Sequence, residues 1–300
     1  MQHFKTISEL HRAGGFPPPL HPLISLYRCG QSCSIVETEF TSDFYLISLK
    51  KLKAGIIRYG QTKYDHANGS MAFIKPRQVA EFRNLEFEED AFVIFIHEDF
   101  LHGHPLHAAI KKYGFFEYEV NEALHLSPKE EELIWDLYNR IDAEYRNNPD
   151  EFSRNIMLTH IDSILTYAQR FYKRQFIDRT ILATKTVSKF NEALTEYLAA
   201  GSLQDQGLPT VTLLASKLHL SSRYLSDLLK EETGKTAMEL IHIHLISEAK
   251  NLLKGADQSV GEIAFTLGFE NLPYFSRLFK KEVGVSPMQY KRSLTPFSGS

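Results

Sequence analysis

Cysteine is scarce in this chain of 300 residues. There are two, Cys29 and Cys33, within "RCGQSC". A pair at that spacing could form half of a metal site, but no second cysteine pair exists to complete one, so reduced thiols and no bound metal are expected. Long apolar runs are also lacking. None approaches the roughly 18 residues that a membrane span requires. The first twenty residues, "MQHFKTISELHRAGGFPPPL", have no basic segment followed by an apolar one. Neither export nor a membrane partner is therefore expected, and a cytoplasmic location is. Charge of one sign is lacking too, with 34 Lys and Arg against 37 Asp and Glu and a formal net charge of -3. Taken whole, the chain advertises affinity for neither nucleic acid nor membranes. No Gly-rich phosphate loop, Ser-centred nucleophile motif or spaced carboxylate pair stands out. No catalytic residue and no cofactor are expected.

What is present is ordinary for a globular protein: 43% hydrophobic and 24% charged residues, and enough length for two domains. The pattern changes near residue 125. Before it, β-branched and aromatic runs are separated by turn residues: "LISLYR" (23–28), "FYLISLKK" (44–51), "GIIRYG" (55–60), "MAFIKP" (71–76) and "AFVIFIH" (91–97). These predict strands of an antiparallel barrel or sandwich. "HANGS" (66–70) predicts a hairpin turn, since Asn-Gly tolerates positive φ.

From 127 onward the periodicity is helical. Ser127, Pro128 and Glu130 form a capping-box pattern ahead of Trp135, Leu137, Tyr138 and Ile141. A second helix is expected after Pro149, through Ile156, Ile161, Ile164, Leu165 and Ala168, and a third over about 180–200. "AAGSLQDQGLP" (199–209) reads as a linker. The expected divisions are 1–126, 127–200 and 201–300, and the fold class is α+β.

The last ninety residues contain a duplication. "VTLLASKLHLSSRYLSDLLKEETG" (211–234) aligns with "VGEIAFTLGFENLPYFSRLFKKEVG" (260–284), the second copy having one extra residue at its turn. Each copy predicts a short helix, a tight turn and a longer helix, the helix-turn-helix arrangement. In the second copy, Gly268 suits a left-handed turn, Phe269 plugs the angle between helices, and Asn271 caps the next helix with Pro273 in its first turn. In the first copy the cap is Ser221 or Ser222. His219 stands where the other copy has its turn glycine, and either accepts strained geometry or marks a different turn. "AMELIHIHLISEAKNLLKG" (237–255) joins the copies as one helix of about 27 Å. That is slightly shorter than the roughly 34 Å between successive major-groove openings, which predicts some bending of bound DNA.

The segment "IAFTLGFENLPYFSRLFKKEVGVSPMQYKR" (263–292) resembles the C-terminal signature of the AraC/XylS family of bacterial transcription regulators, and "KEETGKTAMELI" resembles the end of its first helix-turn-helix. The resemblance covers about 90 residues. It implies two helix-turn-helix units joined by a long helix and reading adjacent major grooves of double-stranded DNA. More loosely, residues before 127 resemble the family's cupin-like β-barrel sensor, which implies a small-molecule effector. The helices of 127–200 then imply a homodimer, with Trp135, Leu137 and Ile141 or the 156–168 stripe at the contact.

Carried onto this chain, Arg223, Ser226 and Asp227 stand where the family reads bases in the first unit, and Leu272, Pro273, Ser276 and Arg277 in the second. Asn271 and the basic Lys230, Lys280 and Lys281 complete the expected DNA-binding set. Asp227 is acidic where many members are basic or amidic. An acidic side chain can accept from cytosine N4, and an apolar one can touch a thymine methyl. Residues 209–300 hold eleven Lys and Arg against nine Asp and Glu. The small excess is concentrated in Arg277, Lys280, Lys281, Lys291 and Arg292. In "HEDFLHGHPLH" (97–107), His97, Glu98, His102, His104 and His107 could suggest a metal, but all fall in one junction after the last clear strand. A surface or capping role is expected instead. His66 reads as a turn residue.

Overall fold

The computed structural model describes residues 2–29, 34–35, 38–50, 52–58, 69–87, 91–118, 122–178, 180–199, 207–255 and 258–294. The chain divides into two compact units, Met1–Asp178 and Arg179–Ser300.

The first unit is mixed α+β. It contains strands β1 (Gln2–Phe4), β2 (Ile24–Cys29), β3 (Ser34–Ile35), β4 (Thr38–Ser42), β5 (Phe44–Lys50), β6 (Leu52–Arg58), β7 (Ser70–Ile74), β8 (Ala80–Phe87), β9 (Ala91–His97) and β10 (Leu124–His125). Its helices are α1 (Ile7–Ala13), α2 (Leu106–Ala109), α3 (Pro128–Arg146) and α4 (Ser153–Asp178). One antiparallel sheet runs β10-β7-β5-β9-β2. In the other, β8 pairs with β6 and with β3 and β4, and β1 joins β4 in parallel. Among the described residues the two sheets do not join into a closed barrel. Cys29, at the end of β2, is disulfide-bonded rather than the reduced thiol expected, and Cys33 lies outside the described residues. The hairpin expected at 66–70 also falls largely outside them, as does His66.

Every residue of β5 and β7 is buried, as befits strands covered on both faces. On one face, Phe44 and Phe95 join Phe4, Ile7, Leu10 and Phe40 in a core shared by the two sheets. On the other, Phe92 stacks on Tyr138 of α3 at 4.2 Å between ring centroids and meets Trp135 edge-on at 5.0 Å. Phe73 packs against Tyr172 of α4. Helix α3 begins with the expected capping box of Ser127 and Glu130, with Pro128 in its first turn.

This packing takes up, within the unit, part of the surface expected at a dimer contact, leaving Leu137 half-buried and Ile156 exposed. Ile141, Ile161, Ile164, Leu165 and Ala168 are buried within their own unit, and Trp135 is occupied by Phe92 and by Arg28 over its ring. The periodic stripes served the intramolecular core because α3 and α4 pack on each other and on the sheet.

The second unit is all helical: α5 (Thr180–Ala199), α6 (Val211–Lys217), α7 (Ser222–Thr233), α8 (Ala237–Gly255), α9 (Val260–Thr266), α10 (Leu272–Val283) and α11 (Pro287–Leu294). Phe190, Leu194 and Tyr197 of α5 enter the same core as Leu214, Leu225, Ile241, Ile263, Phe275 and Phe279. Helix α5 thus packs with this unit, whereas the sequence placed it with the preceding helical region. No helix of the described residues is long and apolar enough to cross a membrane.

Candidate nucleic-acid interface

The duplicated segments form two helix-turn-helix units, α6–α7 and α9–α10, both packed against α8. Each joint is built the same way. Leu214 and Ala215 of α6 are buried, as are Ile263 and Ala264 of α9. The small Ala264 allows close crossing, and Phe269 is buried against Phe275 with ring centroids 5.1 Å apart. Gly268 turns the chain at φ 78°, and His219 does the same at φ 57°. The histidine therefore accepts the left-handed corner that glycine takes in the other copy.

Capping fixes where the second helix of each unit starts and stops. Ser221 is the cap of α7, its hydroxyl accepting from the Tyr224 amide at 3.1 Å. Asn271 caps α10 through Oδ1, which accepts from the Tyr274 amide at 2.8 Å. Both helices end on a left-handed glycine, Gly234 at φ 72° and Gly284 at φ 89°. The next helix is re-initiated in each case by reciprocal bonds, between Thr236 and Glu239 and between Ser286 and Gln289. The Tyr274 hydroxyl lies 3.4 Å from His242 Nε2, which ties the start of α10 to α8. Burial is the main cause lowering the His242 pKa, so its neutral form is favoured at that contact.

The apolar sides face inward: Leu225, Leu228 and Leu229 on α7, and Phe275, Leu278 and Phe279 on α10. The expected site residues occupy the remaining surface. Arg223 and Lys230 are exposed on α7, with Ser226 and Asp227 half-buried. Asn271, Leu272, Pro273, Arg277, Lys280 and Lys281 are exposed around α10, with Ser276 half-buried. Arg223 Nε donates to Asp227 Oδ2 at 3.0 Å. Among the described residues, Arg277, Lys280 and Lys281 have no carboxylate at ion-pairing distance. Lys291 differs from the rest of the expected basic cluster: it is half-buried and donates to the Gln258 carbonyl.

In the histidine-rich junction, two side chains act as local caps. The His97 side chain caps the turn at 98–101, accepting from the Asp99 amide at 3.2 Å, and His104 Nδ1 accepts from the Leu106 amide at 3.1 Å. No group of three metal-ligating side chains occurs among the described residues. Sequence reasoning missed Lys50, a lysine buried in β5 and next to Ser70 of β7. Burial pushes its pKa down to about 7. Its place at the end of an apolar run, before another lysine, gave no sign that it lies inside.

Comparison with known proteins bears on the same region. Residues 214–293 match the family model described as a helix-turn-helix domain. The chain is 32% identical over 136 residues to the uncharacterized HTH-type transcriptional regulator YfiF of Bacillus subtilis, covering 45% of this chain and 40% of that one. It is 37% identical over 79 residues to the HTH-type transcriptional activator RhaS of Escherichia fergusonii, covering 26% and 28%. The chain thus spans less than half the length of these curated relatives. Among solved structures, it is 32% identical to the C-terminal domain of the two-component response regulator yesN from Fusobacterium nucleatum. That match covers 34% of this chain and 96% of the other, with a TM-score of 0.30.

Proposed function

We propose that the chain, which belongs through its C-terminal helix-turn-helix domain to the AraC/XylS family of transcription regulators, binds double-stranded DNA in a sequence-specific manner and regulates transcription. The observation that carries this reading is the outer face of α10. Its buried side is consumed by Phe275, Leu278 and Phe279, while Arg277, Lys280 and Lys281 remain exposed beside a capped helix start. In such a helix an arginine serves base edges, by bidentate contact with guanine, and lysines serve phosphates. The two units and α8 share one core, so α7 and α10 act as two heads on a common support.

In this reading the first unit is the sensor and dimerisation module. Two sheets sharing one core support the cupin-like comparison and, with it, control by a small-molecule effector. For a homodimer contact, Phe152, just before α4, and Ile156 within it are exposed apolar side chains among the described residues. A DNA-binding role places the protein in the cytoplasm.

Selection of bound sites from random duplexes with the full chain tests the reading. A defined motif is expected, and Arg277→Ala should lose preference at one base pair, about 1–3 kcal/mol of discrimination. Failure of the full chain to enrich any motif would refute the function. An Arg277→Ala variant with unchanged affinity and preference would refute the site.

A further inference from the structure

The second helices of the two units correspond residue for residue at a fixed offset of fifty positions, from Ser221 and Asn271 to Gly234 and Gly284. The buried positions keep their character: Leu225 with Phe275, Leu228 with Leu278, Leu229 with Phe279. Of the outward positions, Ser226 with Ser276, Lys230 with Lys280 and Glu232 with Glu282 are the same, but two reverse their charge. Asp227 stands where the other copy has Arg277, and Glu231 where it has Lys281. Helix α7 carries two cations and three anions, and α10 carries three cations and one anion. A helix with two carboxylates at such positions gains little from neutralising phosphates.

The acid at 227 coincides with a second difference. Arg223, one turn earlier and bonded to it at 3.0 Å, corresponds to Pro273 in α10. The carboxylate occurs in the copy that has an arginine for it to hold. Where the arginine is missing, the equivalent position is itself an arginine. The pair contributes little stability, because Arg223 is 45% and Asp227 27% exposed and the acid lies C-terminal to the base. Its effect is on orientation. A free arginine samples many rotamers, and a carboxylate bound at Nε fixes the plane of the guanidinium. Recognition of guanine takes two of the five guanidinium donors, in that plane.

We infer that Asp227 is a positioning residue that orients Arg223 for reading a base pair, rather than a reader of cytosine in its own right. The head built on α7 then discriminates through an oriented arginine and carries little phosphate affinity, which falls to α10. This inference rests on the DNA-binding function proposed above.

The test is site selection and affinity measurement with the full chain and with Arg223→Ala, Asp227→Ala, Asp227→Asn and the Arg223/Asp227 double alanine variant. Arg223→Ala should weaken discrimination at one base pair by about tenfold or more. Asp227→Ala should weaken discrimination at that same base pair while raising affinity for non-specific duplex, since a carboxylate has left the interface. The double variant should discriminate no worse than Arg223→Ala. Asp227→Asn, which can still accept from Nε, should retain part of the preference. If Asp227→Ala altered a different base pair, Asp227 would be a direct reader. If it altered none, the pair would be a surface contact only. Either result overturns the inference while leaving the function intact. Absence of any motif for the unaltered chain would instead defeat the function, and the inference with it.

Discussion

His219 and Gly268 turn the chain at matching corners of the two helix-turn-helix units, both in the left-handed region, at φ 57° and 78°. A side chain in that region costs about 1–2 kcal/mol because Cβ crowds the following carbonyl oxygen. His219→Gly removes the crowding but adds freedom to the unfolded chain, so a net gain of up to about 1 kcal/mol is expected. Gly268→Ala should destabilise by a similar amount or more. Thermal or denaturant unfolding of the two variants checks both signs, and a destabilised His219→Gly would show that the histidine side chain offsets its own strain.

Lys280 and Lys281 lie exposed on α10 without ion-pair partners among the described residues. If they meet phosphates, replacing either with alanine should weaken binding to all duplexes alike and lower the slope of log affinity against log salt by about 1. The preferred sequence should be unchanged. A lysine variant that altered the motif would reassign that residue to base reading.

Asn271 belongs to the expected DNA-binding set, yet it has a local task as the cap of α10. Asn271→Ala should cost about 1 kcal/mol of stability. Asn271→Asp should keep the cap and the fold, since a carboxylate at a helix start is well placed. It should nevertheless weaken DNA binding if the position lies near a phosphate. Melting and binding measured on both variants separate the two roles.

Lys50 gives the first unit a distinctive pH response. Its folded pKa, lowered to about 7 by burial, is below the unfolded value near 10.5. Between those values the unfolded chain binds more protons, so stability should rise with pH from about 7 to about 10, at a slope approaching about 1.4 kcal/mol per pH unit. Below about pH 7 the full cost of burying the charge applies. Lys50→Met should flatten this dependence and raise the melting temperature at neutral pH. An unchanged pH profile in that variant would show that the lysine is charged in the folded state.

The C-terminal unit was legible because its determinants are local. Ser221, Asn271, Gly234, Gly268 and Gly284 each act within four residues, and the duplication allowed every reading to be checked twice. The first unit was less so. Strand β8 escaped notice because Glu81, Arg83 and Glu86 interrupt its apolar pattern, and β1, β3 and β10 are too short to show any period. Burial of Ile161, Ile164 and Leu165 looked the same in the sequence whether a partner or the same chain covered them. Arg223 and Asp227 were each visible as surface residues, but the bond between them needed coordinates.

The place of α5 governs how the molecule can be cut. The Tyr197 hydroxyl donates to the Gly207 carbonyl at 2.9 Å, and Phe190 and Leu194 lie wholly out of solvent beside α6 and α7. A fragment begun at residue 201, where the linker composition invites the cut, would strip these side chains away and leave an apolar scar along the module it meant to isolate. One begun near residue 180 would keep the module's own buttress, and should be the more soluble and the later to melt of the two.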